Sequence, residues 1–281
     1  MSQPTYDAAH ISGFYDAYGE QEWERMVAGP RQRVSFAIHQ HYLARFIEAG
    51  DAVLEAGAGP GRFTIELARL GARVTVGDIS PAQLALHAQK SRDAGIEASV
   101  VIRDVLDIVD LSRYPSAAFD AVVCYGGPLS YVFDRADEAL AEMLRVTKPG
   151  GHVLLSVMSL LGTSQLFFPA ILGIAAAQGL ETVEQVNQTG DLTNQQASPN
   201  GHYCRMYRWS RLNSLLKRHP CEIIAASASN FLSMRDDDEL LAQVAANPAL
   251  WEAFVRWELD FCQEPGALDG GTHILAVVRK S

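Results

Sequence analysis

The sequence has no run of basic residues anywhere along its 281 positions. Lys and Arg together number 23 against 33 Asp and Glu, which gives a formal net charge of −10. Proteins that bind nucleic acids need clustered Lys and Arg to meet the phosphate backbone. The composition therefore predicts that neither DNA nor RNA is a partner.

Closely spaced cysteine pairs are also missing. The four cysteines, Cys124, Cys204, Cys221 and Cys262, are scattered and form no Cys-x-x-Cys motif, so neither a disulfide framework nor a zinc site is indicated. The first ten residues are polar and lack the apolar stretch of a secretory signal. We therefore expect reduced thiols in a cytoplasmic protein.

Charged residues are absent from positions 153–180, a length that a hydropathy window would take for a membrane span. Small and polar residues at 162–165 interrupt this stretch and Pro169 breaks it, which predicts a buried strand, a turn and an apolar helix without membrane contact. Side chains such as Phe167 and Phe168 are too apolar for a solvated loop. A lid over a binding site, a dimer seam or a membrane contact could bury them, and we expect the lid.

Short apolar runs alternate with amphipathic helices from residue 52 onward. Alternation of this kind indicates right-handed crossovers between parallel strands, and continuous apolar runs such as residues 121–124 are typical of strands buried on both faces. The sequence therefore predicts an α/β fold with a mostly parallel sheet and helices on both faces. Strands are predicted at 52–56, 73–77, 99–103, 119–124 and 152–157, with helices at about 62–70, 81–94 and 136–146 between them.

The chain is expected to form one domain over residues 1–281, because its length and its 48% hydrophobic content suffice for one large core. Residues 1–50 would form a helical cover, residues 51–158 a ligand-binding half, and residues 159–281 a second half with insertions at about 160–201 and 231–271. In that second half we predict a polar loop at 187–201, strands at 222–229 and 272–279, and helices at 209–218 and 236–261, the last one split near Pro248.

A glycine-rich turn follows the first predicted strand. The run VLEAGAGPG at residues 53–61 places Gly57 and Gly59 where a backbone must approach a ligand closely, with Glu55 at the end of the strand. A dinucleotide site is one reading of such a turn. That motif requires a third glycine where this chain has Arg62, which disfavours it. Glu55 could touch a ligand or only orient the loop.

Acidic residues end the next two predicted strands. A carboxylate at Asp78 can accept two ribose hydroxyl groups. Asp104 is placed to accept from the exocyclic amine of an adenine, with the Val105 backbone beside a ring nitrogen. Acidic surroundings without a phosphate-binding Lys suit S-adenosylmethionine, which carries a sulfonium and an ammonium group, better than a dinucleotide.

These motifs, with residues 119–124 (FDAVVC) and 148–151 (KPGG) after them, resemble the class I S-adenosylmethionine-dependent methyltransferases over about residues 10–158. The resemblance implies seven strands with the last one antiparallel. It places Gly57 and Gly59 under the methionine part, and Asp78, followed by Ile79, at the ribose. It also implies that Asp104 and Val105 lie at the adenine.

The same resemblance implies that Cys124 and Tyr125 lie beside the methyl group, and that Tyr15 belongs to N-terminal helices closing over the cofactor. One departure bears on the substrate. The fourth strand continues as Tyr-Gly-Gly-Pro at 125–128, and not as the Asn-Pro-Pro-Tyr of nucleic-acid and protein amine methylases. A small-molecule acceptor is therefore favoured.

Candidates for a catalytic base are few. His202 is the preferred one, because it lies in a polar segment and an unperturbed imidazole titrates near neutral pH. No metal is predicted: His39 and His41 point to different faces of a helix, and the acidic run at 236–239 reads as a helix N-terminus. Further candidates for the substrate side are Tyr125, Tyr131, Tyr203, Arg205, Trp257, Glu258 and His273.

The sequence thus predicts transfer of a methyl group from S-adenosylmethionine to an O, N or C atom of a small molecule, by a cytoplasmic monomer or homodimer with no nucleic-acid or membrane partner. A non-catalytic S-adenosylmethionine-binding module is the first alternative. A dinucleotide-dependent reductase is the second.

Overall fold

The computed structural model describes residues 4–193, 203–235 and 237–281. Within these residues, seven strands form one sheet, and two short strands pair antiparallel in a second one. The strands are β1 (Ala52–Ala56), β2 (Arg73–Asp78), β3 (Val100–Val105), β4 (Phe119–Cys124), β5 (Thr147–Met158), β6 (Asp191–Leu192), β7 (Cys204–Arg205), β8 (Cys221–Ala228) and β9 (His273–Lys280).

Helices connect these strands and extend the chain at both insertions. They are α1 (Ala8–Tyr18), α2 (Gln21–Arg25), α3 (Pro30–Phe46), α4 (Arg62–Arg69), α5 (Pro81–Asp93), α6 (Ala136–Val146), α7 (Leu160–Leu166), α8 (Phe168–Gln178), α9 (Leu180–Thr189), α10 (Trp209–Leu216), α11 (Asp238–Ala246) and α12 (Pro248–Cys262).

The strand directions confirm the predicted α/β fold. Strands β1 to β5 pair in parallel, whereas β9 runs antiparallel to both of its neighbours, β5 and β8. The strand order across the sheet is β3-β2-β1-β4-β5-β9-β8. From the central strand β1 the chain runs through β2 to the edge strand β3. It then returns to the centre as β4, on the opposite side of β1, and continues to β5. Ligands of open α/β sheets bind at the carboxyl ends of strands at such a reversal, here between β1 and β4.

Alternate residues of each strand enter two separate hydrophobic cores, one on each face of the sheet. Leu54 and Val122 pack with α6 and α10 on one face. Val53 and Val123 pack with α3, α4, α5 and α12 on the other. Successive side chains of a strand point to opposite faces of the sheet, and both faces are buried here. The strands are therefore unbroken apolar runs in the sequence.

The uncharged insertion folds as two helices and not as one. Pro169 opens α8, and α7 and α8 meet at an angle of 87°. Phe167 and Phe168 are each more than half exposed, and α8 has no buried residue. In the described part of the chain, no single helix is long and apolar enough to cross a membrane, although this bent pair reaches that length and composition together.

The polar loop predicted at 187–201 is wrong in its first part. Helix α9 continues to Thr189, Gly190 ends it in the left-handed region, and β6 follows at once. Strand β6 forms because Asp191 makes a buried, two-pronged ion pair with Arg205 of β7, at 2.6 and 2.9 Å. Residues 194–202 lie outside the described residues.

Helix α1 is fastened to the carboxyl edge of the sheet by polar contacts with the start of α5. Ser12 Oγ donates to the Ile79 carbonyl, and Ser80 Oγ donates to Asp16 at 2.5 Å. The Gln83 amide donates to the carbonyls of Tyr15 and Gly19. These contacts hold the N-terminal helices over the carboxyl ends of β1, β2 and β4.

The turn between β8 and α11 depends on one buried carboxylate. Glu258 of α12 is fully buried, and its two oxygens accept the backbone N–H groups of Phe231, Leu232 and Ser233 at 2.6–3.1 Å. Asn230, just before this turn, donates to the Arg31 carbonyl of α3. Glu258 is therefore a structural residue that fixes the turn against α3.

We expect Glu258→Ala to lower the free energy of unfolding by about 3 kcal/mol, because three backbone N–H groups, that of Ser233 fully buried, lose their carboxylate acceptor. Urea denaturation followed by circular dichroism measures this. Glu252→Ala, at an exposed position of the same helix, is the matched control and should change stability by less than about 0.5 kcal/mol. Equal midpoints for both variants would contradict the role given to Glu258.

Candidate functional site

The glycine-rich turn between β1 and α4 has a backbone that other residues adopt only under strain. Gly57, Gly59 and Gly61 have φ of 80°, 53° and 93°, in the left-handed region. A Cβ on Gly57 would lie 2.3 Å from Pro128 Cγ. The turn therefore requires glycine at Gly57 for both its conformation and its space.

A cleft opens above this turn, at the reversal of strand order. We call it the glycine-loop cleft. The space inside it, counted together with its open mouth, is about 610 Å³. Its walls are Tyr6, Ile11, Tyr15, Glu22, Gly57, Gly59, Asp78, Ile79, Leu106, Asp107, Ile108, Tyr125, Gly126, Pro128, Tyr131 and Val132.

Asp78, at the end of β2, connects the turn to the cleft. Its carboxylate accepts the N–H of Gly59 at 2.7 Å through one oxygen and the N–H of Ser80 at 2.8 Å through the other. Burial raises the pKa of Asp78 to about 6, although these two bonds oppose the shift. Each oxygen keeps a lone pair that can accept a further hydrogen bond.

The charges in the glycine-loop cleft all have one sign. Glu22, Asp78 and Asp107 bring three carboxyl groups to its wall, and no Lys or Arg side chain is among the described residues that line it. The backbone N–H groups of the turn are already used: Gly57 and Ala58 both donate to the Gly77 carbonyl. The cleft thus suits a ligand with positive charge and offers few donors to a phosphate.

The structure does not bring Asp104 and Val105 into this cleft. Strand β3 does not end where the sequence predicted, because it stays in register to Val105, opposite Asp78. Asp104 instead accepts from the Tyr114 hydroxyl at 2.6 Å and pairs with Arg113 at 3.1 Å, while Val105 is 58% exposed. The chain enters the cleft two residues later, and Asp107 with Ile108 occupy the wall where Asp104 and Val105 were expected.

Cys124 also lies away from the cleft. It is the last residue of β4, and its side chain is fully buried in the hydrophobic core. Burial raises the pKa of its thiol to about 12. The pleat turns the next residue, Tyr125, toward the cleft, where Tyr15 and Ile79 also lie as expected, with the Tyr15 ring edge-on to Tyr131.

Glu55 lies behind the glycine turn and does not line the cleft. It accepts from Thr64 Oγ at 2.5 Å, and Thr64 is 2.8 Å from His87 Nε2. His87 Nδ1 accepts from Arg103 Nε at 2.9 Å, and Arg103 pairs with Glu97 at the surface. Burial raises the pKa of Glu55 to about 8. Glu55 is therefore the buried end of a chain of hydrogen bonds.

The remaining candidates separate into several groups. His202 lies outside the described residues. Arg205 pairs with Asp191, the Tyr203 hydroxyl donates to the Thr5 carbonyl, and Trp257 is largely exposed. Asp237 caps α11, in agreement with a helix N-terminus at the acidic run, and no cluster of metal ligands occurs among the described residues. Tyr125, Tyr131 and His273 do line a cleft.

A second cleft lies beside the first, against α3, and we call it the α3 cleft. Gly126 lines both clefts, so they meet at the end of β4. Leu166, at the end of α7, is the part of the apolar insertion that reaches this wall. The α3 cleft is lined by Arg25, Met26, Arg31, Gln32, Ser35, Phe36, His39, Phe63, Gly126, Leu166, Asn230, Thr272 and His273.

His39 is the most unusual side chain of the α3 cleft. It is 4% exposed, its Nδ1 is 2.7 Å from the Ser35 carbonyl, and burial lowers its pKa to about 4. Its Nε2 is buried and has no hydrogen-bond partner among the described residues. An unpaired buried polar group lowers the stability of a protein by about 1–3 kcal/mol. An apolar side chain would therefore pack at this position with less loss of stability than His39.

An ion pair stands at the boundary between the clefts. Arg25 of the α3 cleft binds Glu22 of the glycine-loop cleft through Nε and Nη2, each at 2.5 Å. The Arg25 Nη2 atom lies 4.0 Å from the position that a Cβ on Gly126 would take. The positive charge of Arg25, in the α3 cleft, and the negative charge of Glu22, in the glycine-loop cleft, thus meet where the two clefts join.

Sequence reasoning did not single out Glu22, Arg25, His39 or Asp107 as site residues. A signal existed for two of them: the segment at 22–25 belongs to the N-terminal helices expected over the site. His39 occurs in the apolar stripe of α3, where a histidine reads as a core residue. Asp107 follows Asp104 by three residues and precedes Asp110 by three, and the sequence pattern does not show which of these acids enters a site.

The sequence and the structure were compared with those of known proteins. A family model described as a methyltransferase domain matches residues 53–151. The ubiquinone biosynthesis O-methyltransferase of Xanthomonas axonopodis pv. citri (strain 306) is 30% identical over 168 residues, which are 59% of this chain and 64% of that protein. The chain therefore spans a little less than two thirds of that relative.

A second relative is the ubiquinone/menaquinone biosynthesis C-methyltransferase UbiE of Shewanella sediminis (strain HAW-EB3). It is 32% identical over 174 residues, covering 55% of this chain and 67% of that protein. Among solved structures, that of the [4+2]-cyclase SpnF superposes with a TM-score of 0.63 at 19% identity, over 100% of this chain and 99% of that one. The likeness to SpnF shows a shared fold.

The pKa of Glu55 generates a prediction with a defined sign. Because the folded-state pKa of about 8 lies above the ordinary value of 4.5, the folded protein holds a proton that the unfolded chain has lost, and stability falls as pH rises toward and through 8. Asp78 shifts in the same direction, but only to about 6, whereas His39 and His87, lowered to about 4, act in the opposite sense below about pH 6.5. Between pH 6.5 and 8.5 Glu55 contributes the largest single change, and comparison of the wild type with a Glu55 variant separates it from the histidines, whose unfolded pKa of 6.5 lies at the edge of the window.

We expect the wild-type free energy of unfolding to fall by roughly 1–2 kcal/mol from pH 6.5 to 8.5. Glu55→Gln, which imitates the protonated acid, should lose most of this dependence, as measured by urea denaturation at both pH values. Glu48→Gln, at an exposed position, should keep it. A Glu55→Gln profile parallel to the wild-type one would show that Glu55 does not carry the proton.

Proposed function

The chain belongs to the S-adenosylmethionine-dependent methyltransferases, and on this premise we propose that it binds S-adenosylmethionine in the glycine-loop cleft and directs its methyl group to a small molecule. One observation carries the proposal: three carboxyl groups and no basic side chain line the cleft among the described residues, and although Glu22 is paired with Arg25, Asp78 and Asp107 have no basic partner there. A sulfonium and an ammonium group complement that charge. The same charge opposes the pyrophosphate of a dinucleotide, which argues against a reductase.

The residues of the cleft fit the parts of this cofactor. Gly57 and Gly59 would lie under its methionine part, where a Cβ at Gly57 has no room. The free lone pairs of Asp78 would accept the ribose hydroxyl groups. Asp107 and the Ile108 backbone would take the adenine edge, the role that the sequence assigned to Asp104 and Val105.

When bound, the cofactor supplies a methyl group already activated by the positive sulfur. The protein's part is then to hold donor and acceptor in line and to keep water out. Tyr15, Tyr131 and the N-terminal helices that bear on Ile79 would close the cleft over the cofactor. The relatives named for ubiquinone biosynthesis support a small organic acceptor, methylated on oxygen or carbon.

Binding and turnover are tested separately. Calorimetry with S-adenosylmethionine, its demethylated product and NADH should show binding of the first two only. Incubation with methyl-labelled S-adenosylmethionine and cell extract should then give a labelled small molecule. Binding of the cofactor without any label transfer would favour a protein that uses the cofactor without methylating, and binding of NADH alone would contradict the proposal.

Asp78→Ala should weaken S-adenosylmethionine binding by about 1.5–3 kcal/mol, or roughly ten- to 150-fold, because two hydrogen bonds to a charged acceptor are lost. Calorimetry measures the dissociation constant, and circular dichroism checks the fold. Asp93→Ala, at an exposed position of α5, is the control and should bind normally. An unchanged dissociation constant for Asp78→Ala would remove Asp78 from the ribose site.

Gly57→Ala should reduce cofactor binding by more than about 100-fold, because its Cβ would meet Pro128 in the floor of the cleft. Gly50→Ala is a matched control for backbone strain: Gly50 has φ of 95°, but its Cβ would have no neighbour within 4 Å. Both variants should lose stability, whereas Gly50→Ala should bind the cofactor as the wild type does. If Gly57→Ala also binds normally, the turn does not approach the ligand.

A further inference from the structure

The α3 cleft has no role in the function proposed so far, yet it opens directly onto the glycine-loop cleft. Gly126 forms part of both walls, and the Arg25 side chain of one cleft holds the Glu22 side chain of the other at 2.5 Å. A molecule in the α3 cleft would therefore border a molecule in the glycine-loop cleft. Two ligands that exchange a group need this arrangement.

Hydrogen bonding fixes the state of the His39 ring in this cleft. The Ser35 carbonyl, 2.7 Å from Nδ1, can only accept, so Nδ1 carries the hydrogen. In the neutral ring, Nε2 then presents a lone pair. That atom is buried and meets no hydrogen-bond partner among the described residues, so the wall of the cleft contains an unused proton acceptor.

We propose, on the basis of the methyl transfer proposed above, that the α3 cleft holds the methyl acceptor, that the acceptor is an aromatic or enolic hydroxyl compound, and that His39 Nε2 takes its proton. The O–H bond breaks, its electron pair stays on oxygen, and the proton forms the N–H bond of an imidazolium whose Nδ1–H still donates to Ser35. The oxygen pair forms the bond to the methyl carbon, whose former bonding pair remains on the sulfur of the cofactor. The imidazolium then returns its proton to water.

The neighbours of His39 favour an acidic hydroxyl group. Arg25 is close enough that its positive charge lowers the pKa of His39, and the same charge would stabilise a phenolate or enolate formed beside it. Its guanidinium binds Glu22 through Nε and Nη2, and no other hydrogen bond of Arg25 is found in the described ranges. The Nη1 donors are thus left for a ligand.

The apolar part of the cleft suits a planar ring. Phe36 and Phe63 are stacked with their centroids 5.2 Å apart, and both line the cleft. Two other polar side chains of the cleft are engaged with the protein: Arg31 donates to the carbonyls of Ser233 and Arg235, and Asn230 donates to the carbonyl of Arg31. His39 and Arg25 together offer a proton acceptor and a charged donor to a polar atom on such a ring.

The test uses 4-nitrophenol as the probe, because its absorption reports its own ionisation, and 4-nitroanisole, which has no proton to give, as the matched ligand. With the demethylated cofactor present to prevent turnover, and at a pH where the free phenol is largely protonated, 4-nitrophenol bound to the wild type should donate its O–H to His39 Nε2 and show a red-shifted absorption. Because the pKa of His39 is lowered to about 4, the proton passes fully to His39 only as the methyl group is transferred. His39→Gln should lose this spectral shift and bind 4-nitrophenol at least tenfold more weakly. Both proteins should bind 4-nitroanisole equally.

His41→Gln is the matched variant, since His41 lies two residues away on the same helix and lines neither cleft. It should behave as the wild type with both probes. In steady-state methylation of a phenolic acceptor, His39→Gln should lower kcat by about 10²–10⁴-fold, the range for general-base catalysis, while calorimetric binding of S-adenosylmethionine stays unchanged.

Two results would overturn the proposal: no binding of 4-nitrophenol by the wild type, or an equal spectral shift in His39→Gln. Weaker binding of 4-nitroanisole by His39→Gln would also count against it, because a residue that only shapes the cleft would produce that result. Failure of S-adenosylmethionine to bind to any variant is a separate result, which contradicts the proposed function and leaves the phenol measurement to be judged by itself.

Discussion

The divergence of the chain at β1 and β4 is the constraint on which the rest of the structure depends. Because β1 leads outward to β2 and β4 leads the other way to β5, no crossover covers the carboxyl ends of this central pair. The glycine turn after β1, the Asp78 carboxylate after β2 and the Tyr125-Gly126 segment after β4 all line this opening. The N-terminal helices then close it from above.

Charge divides this opening into two chemically different halves. Carboxyl groups line the half above the glycine turn, whereas arginine and histidine side chains line the half against α3. The Glu22–Arg25 pair joins the halves, and both members come from α2, a helix of five residues. A short helix, which follows α1 and precedes α3 in the chain, thus contributes a carboxylate to one half and a guanidinium to the other.

The sequence predicted those site residues whose position is set by neighbouring residues in the chain, and not those brought together from distant segments. Gly57 and Asp78 are set by a strand end and a turn adjacent in the chain, and the structure places both in the cleft. Asp104, which the sequence predicted at the adenine, does not line the cleft, because β3 stays paired with β2 to Val105, a register that no local pattern reveals. Periodicity predicted the α/β class and the positions of the strands, and the family resemblance implied seven strands with the last one antiparallel. The α3 cleft, in contrast, depends on α3, α7 and the start of β9 meeting across distant parts of the chain.

His39 and His87 show that burial of a histidine does not by itself identify it as a residue of a ligand site. Burial lowers the pKa of each imidazole to about 4. The ring nitrogens of His87 are both hydrogen-bonded, to Thr64 and Arg103, so its buried polarity is satisfied by the protein itself. His39 has one nitrogen bonded and the other left without a partner in the described residues, in the wall of a cleft. The same side chain with the same pKa shift is therefore structural in the first case and available to a ligand in the second, and only the inventory of hydrogen bonds separates the two.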